Sequence, residues 1–499
     1  MTQSIRFLPF VFALRSAFFA AALVVATWTS AAASPATPAP NPEAGERIAA
    51  RLKKAIGNSG FKNGEIGVWV GANSSKGIET YFSHNGEKAF IPASLSKLVT
   101  AGAVLHEFHP GHKFKTQLLS DAKVDNGALS GNLYLKGGGD PSFVSENMWI
   151  LVNELTRAGV TSVEGDIVVD DTLFDNVRFG SDRQDERVDR AYDAPVGAMS
   201  MNWNSVNVYV RPGDKVGDKL KVFADVMTPY LKVRNETKTV PSGRGKTVAV
   251  ERTSEKGFNG DVIVVTGAMA QGHPEFVVYK SIANPDLFAA NNLVEFLRQR
   301  GIFVKGKTRA GAAPKAATVL ATSESKPLAM IVADMSKWSN NYVAEMLVKN
   351  LAADAGEQPA TMDGGMNRVR KYLESAGLKP ADYEFINAAG FTRRNRLSPQ
   401  QIGKFLEFVH ADFTIFPEYL ASLPIAGVDG TLRSRMKNPP AERWVRAKTG
   451  LLNGVVGLSG FAGRSGGEIV TFAFIYNGGG REDKARALFD QMAGFIVED

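Results

Sequence analysis

Ser94 and Lys97, a serine and a lysine three positions apart, are the strongest candidates for covalent chemistry in this chain. Its 499 residues include no cysteine, so a nucleophile must be a hydroxyl, an amine or a carboxylate. Residues three apart on a helix share one face, and a serine at the N-terminus lies where the helix dipole favours a developing oxyanion. Ser-x-x-Lys occurs five times, but only Ser94 opens a long apolar helix. We predict a helix that begins at about Ser94.

Two further motifs could complete such a site. A lysine accepts the hydroxyl proton only if burial and a second cation lower its pKa, and Lys448–Gly450, the only Lys-Thr-Gly of the chain, supplies that cation. It directly follows a strand-like run, where a lysine and a hydroxyl suit a substrate carboxylate. Ser339–Asn341 (Ser-Asn-Asn) lies in a polar break of the helical stretch Leu328–Leu351. We expect the three motifs to meet in one site.

In this order and on these elements, the three motifs resemble those of the penicillin-recognising serine DD-peptidases. Their separation is similar to that in the class C low-molecular-weight penicillin-binding proteins, the D-Ala-D-Ala carboxypeptidase/endopeptidase type (peptidase family S13). Lys97 and Ser339 are 242 positions apart, and Ser339 and Lys448 are 109 apart. Class A β-lactamases have no room for such an insertion. Other similar segments are Gly137–Ser142, Asp170–Phe174, Ala191–Val210, Asn395–Pro399 and Gly427–Leu432.

The resemblance implies roles for four catalytic residues. Ser94 would be the acylated nucleophile and Lys97 its base. Ser339 would pass a proton to the leaving amine, and Asn341 would orient Lys97 and the substrate. The implied reaction is hydrolysis of D-Ala-D-Ala bonds and of D-Ala-meso-diaminopimelate cross-links in peptidoglycan, through an acyl-serine. β-Lactams would acylate the same serine as substrate mimics, and no metal or cofactor is expected.

The resemblance also implies the substrate-binding residues. Lys448 and Thr449, followed by Gly450, would hold the terminal carboxylate, and the backbone N–H groups of Ser94 and Leu451 would form the oxyanion hole. The family usually has Ser or Thr where this chain has Leu451. One hydroxyl contact to the carboxylate is therefore lost, which an endopeptidase would tolerate better than a carboxypeptidase.

Two other positions concern the surroundings of the site. The family selects the side chain of the third stem residue with an acidic and an aromatic residue, for which Asp170 or Asp171 and Phe174 are the matches. The family segment Asp-Gly-Ser-Gly-Leu is replaced here by Asn387–Phe391, which reads Asn-Ala-Ala-Gly-Phe. We expect both departures, this one and Leu451, to affect rate and substrate preference more than acylation.

Two other motifs match ligand-binding patterns, but the elements around them favour a purely structural interpretation. Residues 301–308 match the phosphate-binding expression Gly-x-x-x-x-Gly-Lys-Thr, but the order of elements is wrong, because a helix precedes Gly301 and a strand follows it. His106, His109 and His112 are three apart, yet Pro110-Gly111 ends the helix between them, so we expect a solvated helix end and no metal site.

The N-terminal sequence has the pattern of a signal for export. Residues 1–33 combine two arginines, a short apolar run and Ala31–Ala33, which is the pattern of a cleaved signal peptide, and residues 34–45 form a Pro-rich linker. We therefore expect a periplasmic protein. The excess of 58 Lys and Arg over 51 Asp and Glu, a formal charge of +7, is compatible with an anionic wall polymer or peripheral contact with a membrane, and gives no argument for nucleic acid.

The resemblance implies an α/β fold of the penicillin-binding-protein/β-lactamase type, an antiparallel sheet flanked by helices, with a large and mostly β insertion. We assign residues 46–116 and 318–499 to the catalytic domain and 117–317 to the inserted region, in two subdomains. Two alternatives stay open: a wall-binding or regulatory protein with a decayed site, and a β-lactamase or esterase on the same scaffold. Covalent labelling by penicillin tests the first, and fast nitrocefin turnover would favour the second.

Overall fold

The computed structural model describes residues 40–74, 77–180 and 189–498. The predicted signal peptide, 1–33, and the first half of the predicted linker, 34–39, therefore lie outside the described residues. Helix α1 begins at Pro42, where the side chain of Asn41 caps it by accepting a hydrogen bond from the N–H of Ala44. Within the described ranges, no helix combines the length and apolar composition that a membrane span requires.

The described residues form ten α-helices and twenty strands. The helices are α1 (Pro42–Asn58), α2 (Ser96–Phe108), α3 (Ser145–Arg157), α4 (Pro285–Gln299), α5 (Leu328–Trp338), α6 (Asn341–Asp354), α7 (Met362–Ser375), α8 (Pro399–Ala411), α9 (Phe416–Ser422) and α10 (Glu482–Val497). The first ten strands are β1 (Ile66–Ser74), β2 (Gly77–His84), β3 (Lys115–Ser120), β4 (Val124–Asp125), β5 (Ala128–Leu129), β6 (Leu133–Lys136), β7 (Ser162–Val163), β8 (Ile167–Asp170), β9 (Ser205–Arg211) and β10 (Lys221–Asp225). The others are β11 (Leu231–Val240), β12 (Ala249–Thr253), β13 (Asp261–Ala270), β14 (Phe276–Ser281), β15 (Phe303–Val304), β16 (Thr308–Ala310), β17 (Thr318–Glu324), β18 (Val445–Leu452), β19 (Val455–Gly463) and β20 (Ile469–Asn477).

A five-stranded antiparallel sheet of order β18-β19-β20-β1-β2 supports the site. Val68 and Val70 on β1 face a core shared with α1 and α10. Trp69 points to the opposite face, against α8, where a Cβ on Gly403 would lie 2.3 Å from the indole. Helices therefore cover both faces, and the predicted antiparallel sheet flanked by helices is confirmed.

Residues between α2 and α5 form four further sheets, of order β16-β8-β6-β3-β17, β15-β7-β5-β4, β10-β9-β14 and β11-β13-β12. Helices α3 and α4 pack with them around a separate apolar core that contains Leu151, Val208 and Leu293. The first and last strands of this region, β3 and β17, pair with each other in antiparallel fashion. The assignment of 117–317 to two inserted subdomains stays a prediction.

The segment that matches the phosphate-binding expression is structural, as the order of elements indicates. Helix α4 ends at Gln299, and Gly301 follows with a φ of +74°, a conformation that glycine adopts without strain. Strands β15 and β16 then flank Lys307. A strand and not a helix therefore follows this loop, and the helix stop followed by a strand is confirmed.

Candidate active site

Ser94 lies in the first turn of a helical segment packed against the edge of the central sheet. A 3-10 turn, Ala93–Leu95, runs directly into α2, so the helical conformation begins one residue before the predicted position and becomes α-helical at Ser96. Gly450 on β18 makes the approach possible, because a Cβ there would lie 2.8 Å from the carbonyl oxygen of Pro92. The glycine of Lys-Thr-Gly thus lets the strand approach the turn that carries Ser94.

Lys97 is fully buried beneath Ser94, and its amine contacts three oxygen atoms. Its Nζ lies 3.1 Å from Ser94 Oγ, 2.7 Å from Asn341 Oδ1 and 2.6 Å from the carbonyl oxygen of Ala389. The amide and carbonyl oxygens only accept hydrogen bonds, whereas the serine hydroxyl both donates and accepts. A neutral amine has two N–H groups and one lone pair, so these partners leave the lone pair facing the Ser94 hydroxyl.

Ser339 and Asn341 lie where α5 ends and α6 begins. Ser339 adopts a left-handed conformation, with φ 56° and ψ 38°, which ends α5. The side chain of Asn340 caps α6 by accepting from the N–H of Val343, 3.1 Å away, and Asn341 opens that helix. The polar break that the sequence predicts inside Leu328–Leu351 is therefore confirmed, and it turns both side chains toward the two lysines.

Lys448 brings a second buried amine to the site. Its Nζ donates to Ser339 Oγ at 2.8 Å and to its neighbour's carbonyl, Thr449 O, at 2.9 Å. Burial, together with the charge of Lys97, holds the pKa of Lys448 well below its usual range. The repulsion between the two amines is mutual, so the site disfavours carrying both as cations.

A hydroxyl pair flanks Lys448. Thr449 Oγ1 donates to Thr431 Oγ1 at 2.9 Å, and Thr431 lies in the 3-10 turn Gly430–Leu432. That turn is held by Asp429, whose carboxylate accepts from Lys337 Nζ on α5 at 2.7 Å. The loop and the strand thereby form one wall that presents hydroxyl groups beside the lysines. Thr431 belongs to Gly427–Leu432, one of the segments that are similar to the family but have no predicted role.

The loop that carries the Ala389 carbonyl is fixed to α2. Asn395 is completely buried, and its Oδ1 accepts from the N–H groups of Ile386 at 2.9 Å and Asn387 at 3.1 Å. Its Nδ2 donates to Ser96 Oγ at 2.9 Å and to the Asn387 carbonyl at 2.8 Å. Asn395 therefore sets the distance between the loop and the helix that bears Lys97.

Sequence reasoning missed the parts played by Ala389 and Asn395. A backbone carbonyl is common to every residue, so the residue type of Ala389 gives no signal. Asn395 stands in a segment similar to the family, but its type alone does not reveal which backbone groups it holds.

Leu451 is exposed, whereas Asp170 and Phe174, which are predicted to select the third stem residue, are buried. Leu451, beside the lysine-bearing part of β18, is 54% exposed. Asp170 is buried, and its carboxylate accepts from the N–H and hydroxyl of Thr172 and from the N–H of Ala313. Phe174 is buried in the helical core. Both side chains are thus engaged within the protein, and their contact with a stem-peptide side chain stays a prediction that this packing does not favour.

The other candidate acid, Asp171, is engaged as well. Its carboxylate forms an ion pair with Arg178 and accepts from the N–H of Met199. Burial raises its pKa, and the Arg178 charge opposes that change. Asp171 therefore anchors its own loop.

The fold is that of the penicillin-binding proteins. The structure of penicillin binding protein 4 (dacB) from Haemophilus influenzae superposes with a TM-score of 0.75 at 25% identity, covering 89% of this chain and 99% of that chain. A second structure of it, complexed with a novel β-lactam, gives a TM-score of 0.70 with the same identity and coverage. The predicted α/β fold of the penicillin-binding-protein type is confirmed.

Sequence comparison then identifies the family. The model of the D-Ala-D-Ala carboxypeptidase 3 (S13) family matches residues 48–498. The D-alanyl-D-alanine carboxypeptidase of Actinomadura sp. (strain R39) is 30% identical over 430 residues, which cover 83% of this chain and 78% of that relative. The chain belongs to the D-Ala-D-Ala carboxypeptidase 3 (S13) family of peptidases.

Proposed function

We propose that this chain is a serine-type DD-peptidase that hydrolyses D-Ala-D-Ala termini and D-Ala-meso-diaminopimelate cross-links of peptidoglycan through an acyl intermediate on Ser94. The observation that carries the proposal is the contact set of the Lys97 amine. Its hydrogen bonds reach the side-chain oxygen of Asn341 and the carbonyl oxygen of Ala389, which are obligate acceptors, and Ser94 Oγ, which belongs to a hydroxyl. Among these groups, only Ser94 can give a proton to a neutral amine held in this way.

Acylation follows from that arrangement. Lys97 takes the hydroxyl proton while Ser94 Oγ attacks the carbonyl carbon of the penultimate D-Ala. The negative charge that develops on the carbonyl oxygen is stabilised by the backbone N–H groups of Ser94 and Leu451. Burial, and after it the charge of Lys97, hold the pKa of Lys448 low, so the site disfavours carrying both amines as cations.

Release of the leaving group requires a proton on its amine. Ser339 Oγ accepts a hydrogen bond from Lys448, so Ser339 can give its own proton to the departing nitrogen and take one from Lys448. The proton that Lys97 took from Ser94 then passes to Lys448, which leaves Lys97 neutral again. Lys448 and the hydroxyl of Thr449 bind the carboxylate of the leaving residue. Water then attacks the acyl-serine, with Lys97 again as the base, and restores the free enzyme.

Leu451 makes endopeptidase activity the stronger of the two. A free D-Ala carboxylate depends on every donor of the Lys-Thr-Gly strand, and the hydroxyl usually present after Gly450 is missing here. A cross-link extends beyond this point, so its binding relies on other contacts too. The proposed location is the periplasm, which the N-terminal sequence pattern supports.

The test is intact-mass spectrometry of the mature protein with benzylpenicillin, beside Ser94→Ala. We expect one penicilloyl adduct on the wild type and none on the variant. A folded wild type without an adduct would refute the acyl-serine mechanism. Endopeptidase preference is measured separately, and release of free D-Ala from a pentapeptide faster than cleavage of cross-linked dimers would contradict it.

A further inference from the structure

The outer face of the sheet β10-β9-β14, in the region between α2 and α5, carries a row of side chains that the proposed reaction does not use. Asp225, Asn207 and Tyr279 stand opposite one another on the three strands. Residues on either side of Asn207 in β9, such as Val206 and Val208, are fully buried. Strand alternation therefore turns the polar and aromatic row outward.

Two neighbouring cavities lie along this face. One, of about 680 Å³, is lined by Trp203, Tyr279, Asn147 and Asn207. The other, of about 510 Å³, is lined by Tyr209 and Phe223, whose ring centroids are 6.3 Å apart. Asp225 borders both. We call this surface the aromatic groove.

Trp203 enters the groove from a strained turn. Asn202, Trp203 and Asn204 have φ values of 51°, 54° and 49°, which L side chains rarely adopt. Asn202 is fastened by the N–H and hydroxyl of Ser145, at 3.0 Å each, and Asn204 Nδ2 donates to Ser200 Oγ at 2.8 Å. The fastened neighbours hold the indole 38% exposed. Strain that the surroundings maintain at an exposed side chain points to a binding role.

The charges in the groove argue against an anionic partner. Lys221 pairs with Asp214 at 2.6 Å, and Arg211 lies 4.0 Å from Glu275. Lys326 pairs with Asp334 at 3.4 Å. The cations are therefore balanced by carboxylates, so the surface suits a ligand with little net charge and many hydroxyl and amide groups.

We infer that the aromatic groove binds the glycan strand of peptidoglycan, a polymer of N-acetylated amino sugars. Sugar rings present apolar C–H faces that pack on Trp203 and Tyr279, while Asn207 and Asp225 hydrogen-bond hydroxyl and acetamido groups. The choice of this polysaccharide rests on the proposed function, since a peptidase of stem peptides meets the glycan that bears them. Binding would hold the enzyme on the wall between cleavages.

The experiment measures binding of the mature protein to peptide-free glycan strands, prepared by amidase treatment of peptidoglycan, and to a β-linked oligomer of N-acetylglucosamine. Trp203→Ala and Tyr279→Ala are each expected to weaken binding about tenfold, the effect of losing one stacked ring. Trp149→Ala is the matched control, because Trp149 is 37% exposed but lies outside the groove. Benzylpenicillin labelling of Ser94 should be unchanged in all three.

The outcomes are distinguishable. Wild-type protein that is labelled at Ser94 but does not bind glycan, or Trp203→Ala that binds as well as the wild type, would overturn the inference while the proposed function stands. Binding to vesicles of phosphatidylglycerol in place of glycan would overturn it as well. Glycan binding without labelling would support the groove and refute the proposed function.

Discussion

Asp140→Asn is expected to stabilise the protein at neutral pH and to have little effect in acid. Asp140 is 2% exposed, and its Oδ1 accepts from the N–H and the hydroxyl of Ser142, both at 2.7 Å. Burial raises the pKa of Asp140 to about 6 from its ordinary value of 3.8. The folded state therefore binds the proton more tightly than the unfolded chain does, and stability falls as pH rises through this interval.

The size of the effect follows from these two pKa values. Ionising Asp140 costs the folded state about 3 kcal/mol once the pH is above 7, of which about 2 kcal/mol develops between pH 4.5 and 7.5. The asparagine of the variant cannot ionise and keeps an acceptor for Ser142. The variant should therefore gain about 2 kcal/mol on the wild type over this range.

The assay is urea unfolding of both proteins at several pH values. Asp166→Asn is the control with the opposite sign, because hydrogen bonds from the Lys307 N–H and the Arg309 guanidinium hold the pKa of Asp166 below its usual range. That variant should lose stability relative to the wild type as pH rises. Parallel stability curves for Asp140→Asn and the wild type would refute the assignment of the cost to a buried carboxylate.

Three further substitutions test the site and the groove. Asn395→Ala removes a buried amide whose oxygen accepts from the backbone N–H groups of Ile386 and Asn387, so it should lower the free energy of unfolding by about 3 kcal/mol and slow penicillin acylation. The control is Asn292→Ala, which removes one buried amide on α4 and should leave the acylation rate unchanged. Leu451→Ser restores a hydroxyl beside the carboxylate and should raise release of D-Ala from a pentapeptide about tenfold, with less effect on dimer cleavage; equal gains on both substrates would contradict the endopeptidase argument. Trp203→Gly should be about 1 kcal/mol more stable than Trp203→Ala, since both lose the ring but only glycine accepts the positive φ; equal thermal stability would remove the evidence for strain.

The part of the site that consists of side chains at regular spacing could be predicted from the sequence. Ser94 and Lys97 occupy neighbouring helical turns as expected, and Ser398 caps α8 before Pro399 as the residue types indicate. The partner strands β1 and β20 read as strands because their residues are apolar on both faces.

What the sequence could not give depends on backbone groups and on long-range packing. The Ala389 carbonyl bonds Lys97 because Asn395 holds its loop, and no residue pattern encodes that distance. Asp170 lies in a segment similar to the family, yet its carboxylate accepts hydrogen bonds from Thr172 and from the distant Ala313. Residue type and local similarity identify which groups are present but not which partners they find in the folded chain.

The order of strands in the central sheet also affects when activity can arise. β1 is synthesised early, but its partner β20 and the lysine-bearing β18 come from the end of the chain. During synthesis, and during the proposed export with the N-terminus first, Ser94 therefore emerges long before Lys448 and before the strands that complete the sheet. The proposed site is therefore complete only when the last strands have formed, and a chain truncated before β20 would expose the unpaired edge of β1 to aggregation.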